Sequence, residues 1–417
     1  MKVLVVTALS GADVASIHAQ PWWTAETILA YLKQAGVFGH GPRAQLLCED
    51  RVLLPGVSLA TLTSSDRLTL KFLVTSELLV LTKSEDGTSR IWNAEGGECL
   101  HCLAAAEDPY SVTSAQFSPQ RTLIATTSED GLTKIWSVGT GECLLTLERH
   151  GPTVADAKFS PDGSYLITAS TDGTAKIWDT ITGQCLRTLG IPSRGFHSKH
   201  LYTALFSPDG TLAATVSGDG SAKIWQVESG ELVHDLTGHS DDVHAAQFSS
   251  TGKLLVTSSS DMSIKVWEVV RGECILTILE NQEDLAATFS PDELYVVTSS
   301  HGGHNKIWDL QTGWCVTELQ EEPFTPLNSA EFSPDGKLLV TALLDGTATI
   351  WATDRSHPRV KLIGHHGSVE TAKFSADGRL VITSGFDMTS RIWDVLTGEC
   401  LQTLEGHDDE VDYAAFA

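Results

Sequence analysis

The chain has 417 residues and a formal net charge of −25, with 41% hydrophobic and 19% charged residues, 35 glycines and three methionines. That length exceeds what one hydrophobic core ordinarily fills, so two units are expected, and the glycine count favours turns over helices. Residues 1–73 hold six Lys and Arg against five Asp and Glu, so the excess of acid falls on the remainder; such a surface repels phosphate backbones and anionic lipid, which excludes nucleic acid and membrane surfaces as expected partners.

The start, Met1 to Leu9, has the Lys and short apolar run of a secretory leader. The run is as short as a leader core can be and continues into a domain pattern, so a non-secreted protein is expected. No stretch approaches the ~18 uninterrupted apolar residues of a membrane span. Val3 to Val6 read as a strand, Ser10-Gly11 as a turn and Val14 to Ile17 as a returning strand. Thr24 can cap a helix whose apolar face carries Ile28 and Leu32, with Gly36 as its stop. Leu46 to Cys48, Val52 to Leu54 and Leu68 to Phe72 supply later strands. This order resembles ubiquitin-like β-grasp domains over residues 1–73, most closely in Gln45-Leu46-Leu47, Arg51-Val52-Leu53 and Ser58 to Leu62. The resemblance implies a small α+β domain. The recognition face of ubiquitin would map onto Ala8 or Leu9, Leu47, Thr69 and Lys71, of which the last two depart toward polarity. Leu47 is therefore a candidate partner contact. The last strand runs through Leu73 to Glu77 into the next unit without a Gly-Gly tail, so this domain is not expected to be conjugated.

From residue 78 onward an Ile-Trp or Val-Trp pair recurs at Trp92, Trp136, Trp178, Trp225, Trp267, Trp308, Trp351 and Trp393, spaced by 44, 42, 47, 42, 41, 43 and 42 residues. Each unit reads as four short β-branched runs separated by Pro-Asp-Gly, Asp-Gly and Thr-Gly, dipeptides and tripeptides that supply the positive φ of tight antiparallel turns. The pattern is that of a four-stranded meander.

This motif resembles the WD40 repeat over residues 78–417, which implies a mainly β fold, an eight-bladed propeller of such sheets around a central channel. The resemblance also implies a buried polar relay in each blade, made of a His entering the blade, a Ser or Thr on the second strand, an Asp in the next turn and the Trp. Asp86, Asp130, Asp172, Asp219, Asp261, Asp345 and Asp387 each stand six residues before their Trp. His150 with Ser170, Asp172 and Trp178, and His239 with Ser259, Asp261 and Trp267, complete the set. After His365 the hydroxyl position is taken by Gly385, which puts that relay in question. The first unit lacks an opening strand and the last residues hold a spare one, so residues 411–416 are expected to pair with 78–82. His407 then joins Ser84, Asp86 and Trp92.

Cys99, Cys143, Cys185, Cys274, Cys315 and Cys400 occupy one position of the repeat and are expected to be reduced core residues rather than disulfides or a zinc site at Cys99 and Cys102. His301-Gly302-Gly303-His304 reads as a one-residue insertion in a turn, with a metal pair as the alternative. No phosphate-binding glycine loop, His-Glu-x-x-His or Gly-x-Ser-x-Gly motif occurs. The expectation is no enzyme and no cofactor. The repeat is broken by the insertion from Ile191 to Tyr202, with Arg194, Phe196, His197, Lys199, His200 and Tyr202, and by Glu321 to Phe324; Arg194, Phe196, His197, His200, Tyr202 and Phe324 are candidate partner contacts. The units resemble eukaryotic WD40 scaffolds, including those of cilium and dynein assembly. That resemblance implies a non-catalytic scaffold for protein partners in a larger complex, placed in the cytoplasm, with nucleus or cilium as alternatives. A second reading is an adaptor or substrate receptor of the ubiquitin and proteasome system.

Overall fold

Short alternating runs between glycine turns fold as strands, and every element of regular structure among the described residues is a β-strand. The computed structural model describes the backbone of five strands within residues 1–77, and all of 78–417 except 107–110, 152, 191–199, 281–284, 301–303, 321–325 and 354–357. Contacts divide the chain into two units, Met1–Leu78 and Leu79–Ala417.

In the first unit Lys2–Ala8 pairs antiparallel with Asp13–Ala19 and parallel with Arg67–Thr75, which in turn pairs antiparallel with Arg43–Cys48. The two-residue strand Arg51–Val52 forms the other edge. Leu47 lies opposite Val52 and Lys71. Its side chain, and the helix expected from Thr24 to Gly36, lie outside the described residues.

The second unit is a ring of eight four-stranded antiparallel sheets. We number these blades 1 to 8 by their tryptophans, from Trp92 to Trp393. Blade 3 shows the plan: Val154–Phe159, Tyr165–Ser170, Ala175–Asp179 and Cys185–Leu189 lie side by side in chain order. First strands of successive blades touch one another while fourth strands are largely exposed, so the first strand is innermost. Each apolar core lies between two blades rather than within one. Ile167, Ile177 and Leu189 of blade 3 pack with Leu201, Phe206 and Trp225 of blade 4, and the same pairing recurs around the ring.

Blade 1 is assembled from both ends of the repeat array. Its strands are Val411–Phe416, Leu79–Ser84, Thr88–Asn93 and Cys99–Ala104, with Val411 opposite Ser84 and Phe416 opposite Val80. The C-terminal strand also packs on Val369–Phe374 of blade 8, and Leu79–Ser84 packs on Val112–Phe117 of blade 2, which closes the circle.

Two expectations change. The repeated cysteines are not core residues: all seven described cysteines are free and exposed. A register shift falls between the Ile or Val and the Trp of the third strand in these blades, and the Cys opposite that bulge turns its thiol outward. There it bonds weakly to a carbonyl two residues on, as Cys185 does to Arg187 at 3.4 Å. Nor does His301 to His304 insert a residue. Trp308 stands ten residues after Thr298, the spacing found in every other blade, so the chain between them carries no extra residue; 301–303 themselves lie outside the described residues. The turns between third and fourth strands seat each blade on the one before. Gly141 has φ +69°, and a Cβ there would stand 2.6 Å from the His101 ring of blade 1.

Ending the chain after Glu405 removes the innermost strand of blade 1 and uncovers Val80, Leu81 and Trp92. With some 25 cal/mol lost per Å² of apolar surface re-exposed, the thermal midpoint is expected to fall by about 10 °C in scanning calorimetry. An unchanged midpoint would show that the closure contributes nothing.

Candidate protein-interaction surface

A buried indole carries an N–H that must find an acceptor. In all eight blades that acceptor is a threonine ten residues earlier, on the second strand: Thr82, Thr126, Thr168, Thr215, Thr257, Thr298, Thr341 and Thr383, at 2.8–3.0 Å. The relay hydroxyls are therefore Thr82, Thr168 and Thr257, not Ser84, Ser170 and Ser259. The serines point to the same face two residues on, but they serve the following turn. Ser170 donates to Thr153 O at 2.8 Å and accepts from the Asp172 N–H, and Ser259 and Ser84 make the corresponding bonds to Asp241 O and Asp409 O.

With threonine in that role, blade 8 is complete as well. His365 Nε2 is 2.8 Å from Thr383 Oγ1 and its Nδ1 is 2.9 Å from Asp387, so Gly385 breaks nothing. His407 reaches Thr82 at 2.7 Å and Asp86 at 2.8 Å across the closure. His239 reaches Thr257 at 2.8 Å and Asp261 at 3.1 Å. His150 reaches Thr168 at 2.6 Å but stands 3.6 Å from Asp172. The ionised carboxylate can only accept, so the neutral imidazole keeps its proton on Nδ1, facing the carboxylate, and its Nε2 accepts from the threonine hydroxyl.

In blade 6 Glu280 occupies the histidine's place. It accepts from Thr298 at 3.1 Å and pairs with Lys306 at 2.6 Å. His197, a candidate partner contact, precedes Thr215 by 18 residues and Asp219 by 22, the spacing of His150 and His239 to their partners.

Arg194, Phe196, His197 and Phe324 lie outside the described residues. His200 and Tyr202 are described; both are exposed and each also bonds to a neighbouring blade. His200 Nδ1 is 2.5 Å from Thr171 O of blade 3, and Tyr202 donates to Asp242 of blade 5 at 2.8 Å. That bond, with burial and the charges of Asp242 and Asp241, raises the tyrosine's pKa. Polar ties of the same kind run between first strands along the channel. Asp156 of blade 3 accepts from Ser114 of blade 2 at 2.9 Å and Thr203 of blade 4 at 2.5 Å. At the channel mouth on the Pro-Asp-Gly side, Lys373 donates to Tyr413 at 3.1 Å beside Glu331, in a cavity of about 410 Å³.

Seven stretches, residues 97–137, 141–179, 183–226, 230–268, 272–309, 313–352 and 356–394, match the model of the WD domain, G-beta repeat. The chain belongs to the WD40 family. Seven matches and eight blades agree, because the WD40 unit starts at a fourth strand and the eighth unit is divided between residues 398–417 and 79–93. No curated protein matches the chain. WD40 propellers are in general interaction scaffolds without catalytic activity of their own.

Exposed apolar side chains recur around the outer rim, as at Ile181, Leu144, Leu396 and Leu401, and on blades 5 and 6 they include a tryptophan. Val270 and Trp314 are 78% and 76% exposed, and Ile275 and Val316 are each about half exposed. Gly313 abuts Leu276, which seats the turn carrying Trp314 on the fourth strand of blade 5.

Burial pushes the imidazoles of His150 and His239 below the ordinary value of 6.5 despite their carboxylates. Burial also opposes ionisation of Asp172 and Asp261, but hydrogen bonds from His150 and Thr174, and from Ser263 and the Ser240 N–H, hold both at about 2. All four groups bind protons less readily when folded. Their stabilisation is present above pH 6.5, weakens as the pH falls below that value, and is lost further from 3.8 toward 2. Thermal midpoints measured from pH 7 to pH 3 should fall steadily. Thr168→Val strands both the indole N–H and the imidazole, and should cost about 2–3 kcal/mol in urea denaturation, against about 1 kcal/mol for Ser170→Ala; equal costs would return the relay to serine.

Proposed function

We propose that the propeller is a non-catalytic scaffold that holds different protein partners in the assembly of a multiprotein complex, in the cytoplasm or, alternatively, the nucleus or cilium. The observation that carries this reading is the exposure of Val270, Ile275, Trp314 and Val316 at the rim. Trp314 is three-quarters exposed, Val270, Ile275 and Val316 on the same two blades are half exposed or more, and exposed apolar surface of this kind marks a protein contact. The closed ring supports the same role, since a scaffold must hold its surfaces at fixed spacing. The strand order of the first unit supports a second reading, an adaptor of the ubiquitin and proteasome system in which residues 1–73 dock a receptor through Leu47.

Affinity purification of the full chain, followed by native mass spectrometry, is expected to recover a discrete complex of several proteins. Trp314→Ser is expected to release at least one of them with the thermal midpoint unchanged. Recovery of the chain alone would refute the scaffold reading, and recovery of proteasome subunits lost with Leu47→Ala would favour the second.

A further inference from the structure

Each blade turns from its second to its third strand on the face where the relay histidines enter. Phe386 N–H bonds to Ser368 O, and Gly218 N–H to His200 O, which ties each turn to the loop leading into its first strand. The residue just before the turn aspartate is Glu85, Glu129, Thr171, Gly218 and Ser260 in blades 1 to 5, but Leu344 and Phe386 in blades 7 and 8. Both are exposed, at 37% and 42%. Two residues past Phe386, Met388 holds φ +63°, where blades 1 to 4 and 7 place glycine and blade 5 places Met262, also at +63°. Its side chain is 45% exposed. An L-residue in that conformation is strained.

Continuing around the ring, the apolar turns of blades 7 and 8 are followed by Glu85 and Glu129 of blades 1 and 2. Further carboxylates adjoin them. Glu370, Asp409 and Glu410 lie at the blade 8 and blade 1 entrances, and burial together with the charges of Glu85, Asp409, Asp412 and Glu370 raises the pKa of Glu410. The nearby lysines do not neutralise this arc, because Lys83 is taken by Asp412 at 2.9 Å and Lys361 by Asp345 at 3.6 Å. From blade 7 through blade 8 to blades 1 and 2 the turns thus run from apolar to acidic.

We propose that Leu344, Phe386 and Met388 with Glu85, Glu129 and Glu410 form a docking surface for one kind of partner, a protein segment whose apolar anchor residues are followed by lysines or arginines. The inference rests on the scaffold reading and names the chemistry of one of its partners, at a place separate from the Trp314 rim. The apolar side chains fill the partner's contact and the carboxylates supply attraction that salt weakens.

The test selects binders for the full chain from a random twelve-residue peptide library on phage, then measures one selected peptide, fluorescein-labelled, by anisotropy. Selected sequences are expected to carry Leu, Phe or Met followed by Lys or Arg. Phe386→Ser should weaken binding about tenfold, and Glu85→Gln with Glu129→Gln should weaken it and flatten its salt dependence. Met388→Gly should weaken binding while raising the thermal midpoint by about 1–2 °C, opposite signs that a purely structural residue would not give. Acidic selected peptides, or affinity untouched by Phe386→Ser and Met388→Gly, would overturn the site. Binding lost instead with Trp314→Ser would also overturn it, while leaving the scaffold reading intact.

Discussion

The ring depends on a single requirement, that an indole N–H placed in a dry interface must be given an acceptor. Each blade buries its tryptophan against the preceding blade, so an unmet donor would penalise the interface itself rather than one sheet. The threonine ten residues earlier meets that need in every blade. What lies beyond the threonine is more tolerant. Blades 1, 3, 5 and 8 add histidine and aspartate, and blade 6 substitutes Glu280 with Lys306. The Trp and Thr pair is thus the constant part of the repeat, and the charged members are refinements around it.

Closure follows from the same interface logic. Eight sheets stacked face to face form a circle only if the last covers the first, and an open array would leave Trp92 and Leu81 without cover. Val411–Phe416 supplies the missing strand, and His407 brings the relay with it, bonding residues more than 300 positions away in the chain. Joining such distant segments costs chain entropy that grows only slowly with loop length, whereas the apolar contact and the hydrogen bonds are gained in full.

Blade number, strand order and closure were legible in the sequence because spacing and turn residues determine them. The choice between Thr168 and Ser170 was not. Both are hydroxyl residues on one face of one strand, two positions apart, and only the tilt of the indole across the sheet separates them. The cysteines were misread for a related reason, since a bulge opposite the tryptophan reverses the facing that simple alternation assigns to Cys185 and its counterparts. His200 and Tyr202 looked like free loop residues because their acceptors, Thr171 and Asp242, belong to neighbouring blades about 30 and 40 residues away.

Departures from a repeat are informative only after the ring's own needs are subtracted. Tyr202, Glu280 and Glu293 all break the pattern, and each breaks it to tie one blade to the next or to fill a relay slot. Glu293, at φ +59°, accepts from Ser250 at 2.7 Å and from the Thr251 hydroxyl at 2.9 Å, so its strained backbone is offset within the chain. Met388, like Met262 of blade 5, carries the same strain with an apolar side chain that is partly exposed. The contrast separates an irregularity whose side chain is tied to the next blade from one whose apolar side chain reaches the surface, and such a strained position on an exposed surface is where a second molecule has something to supply.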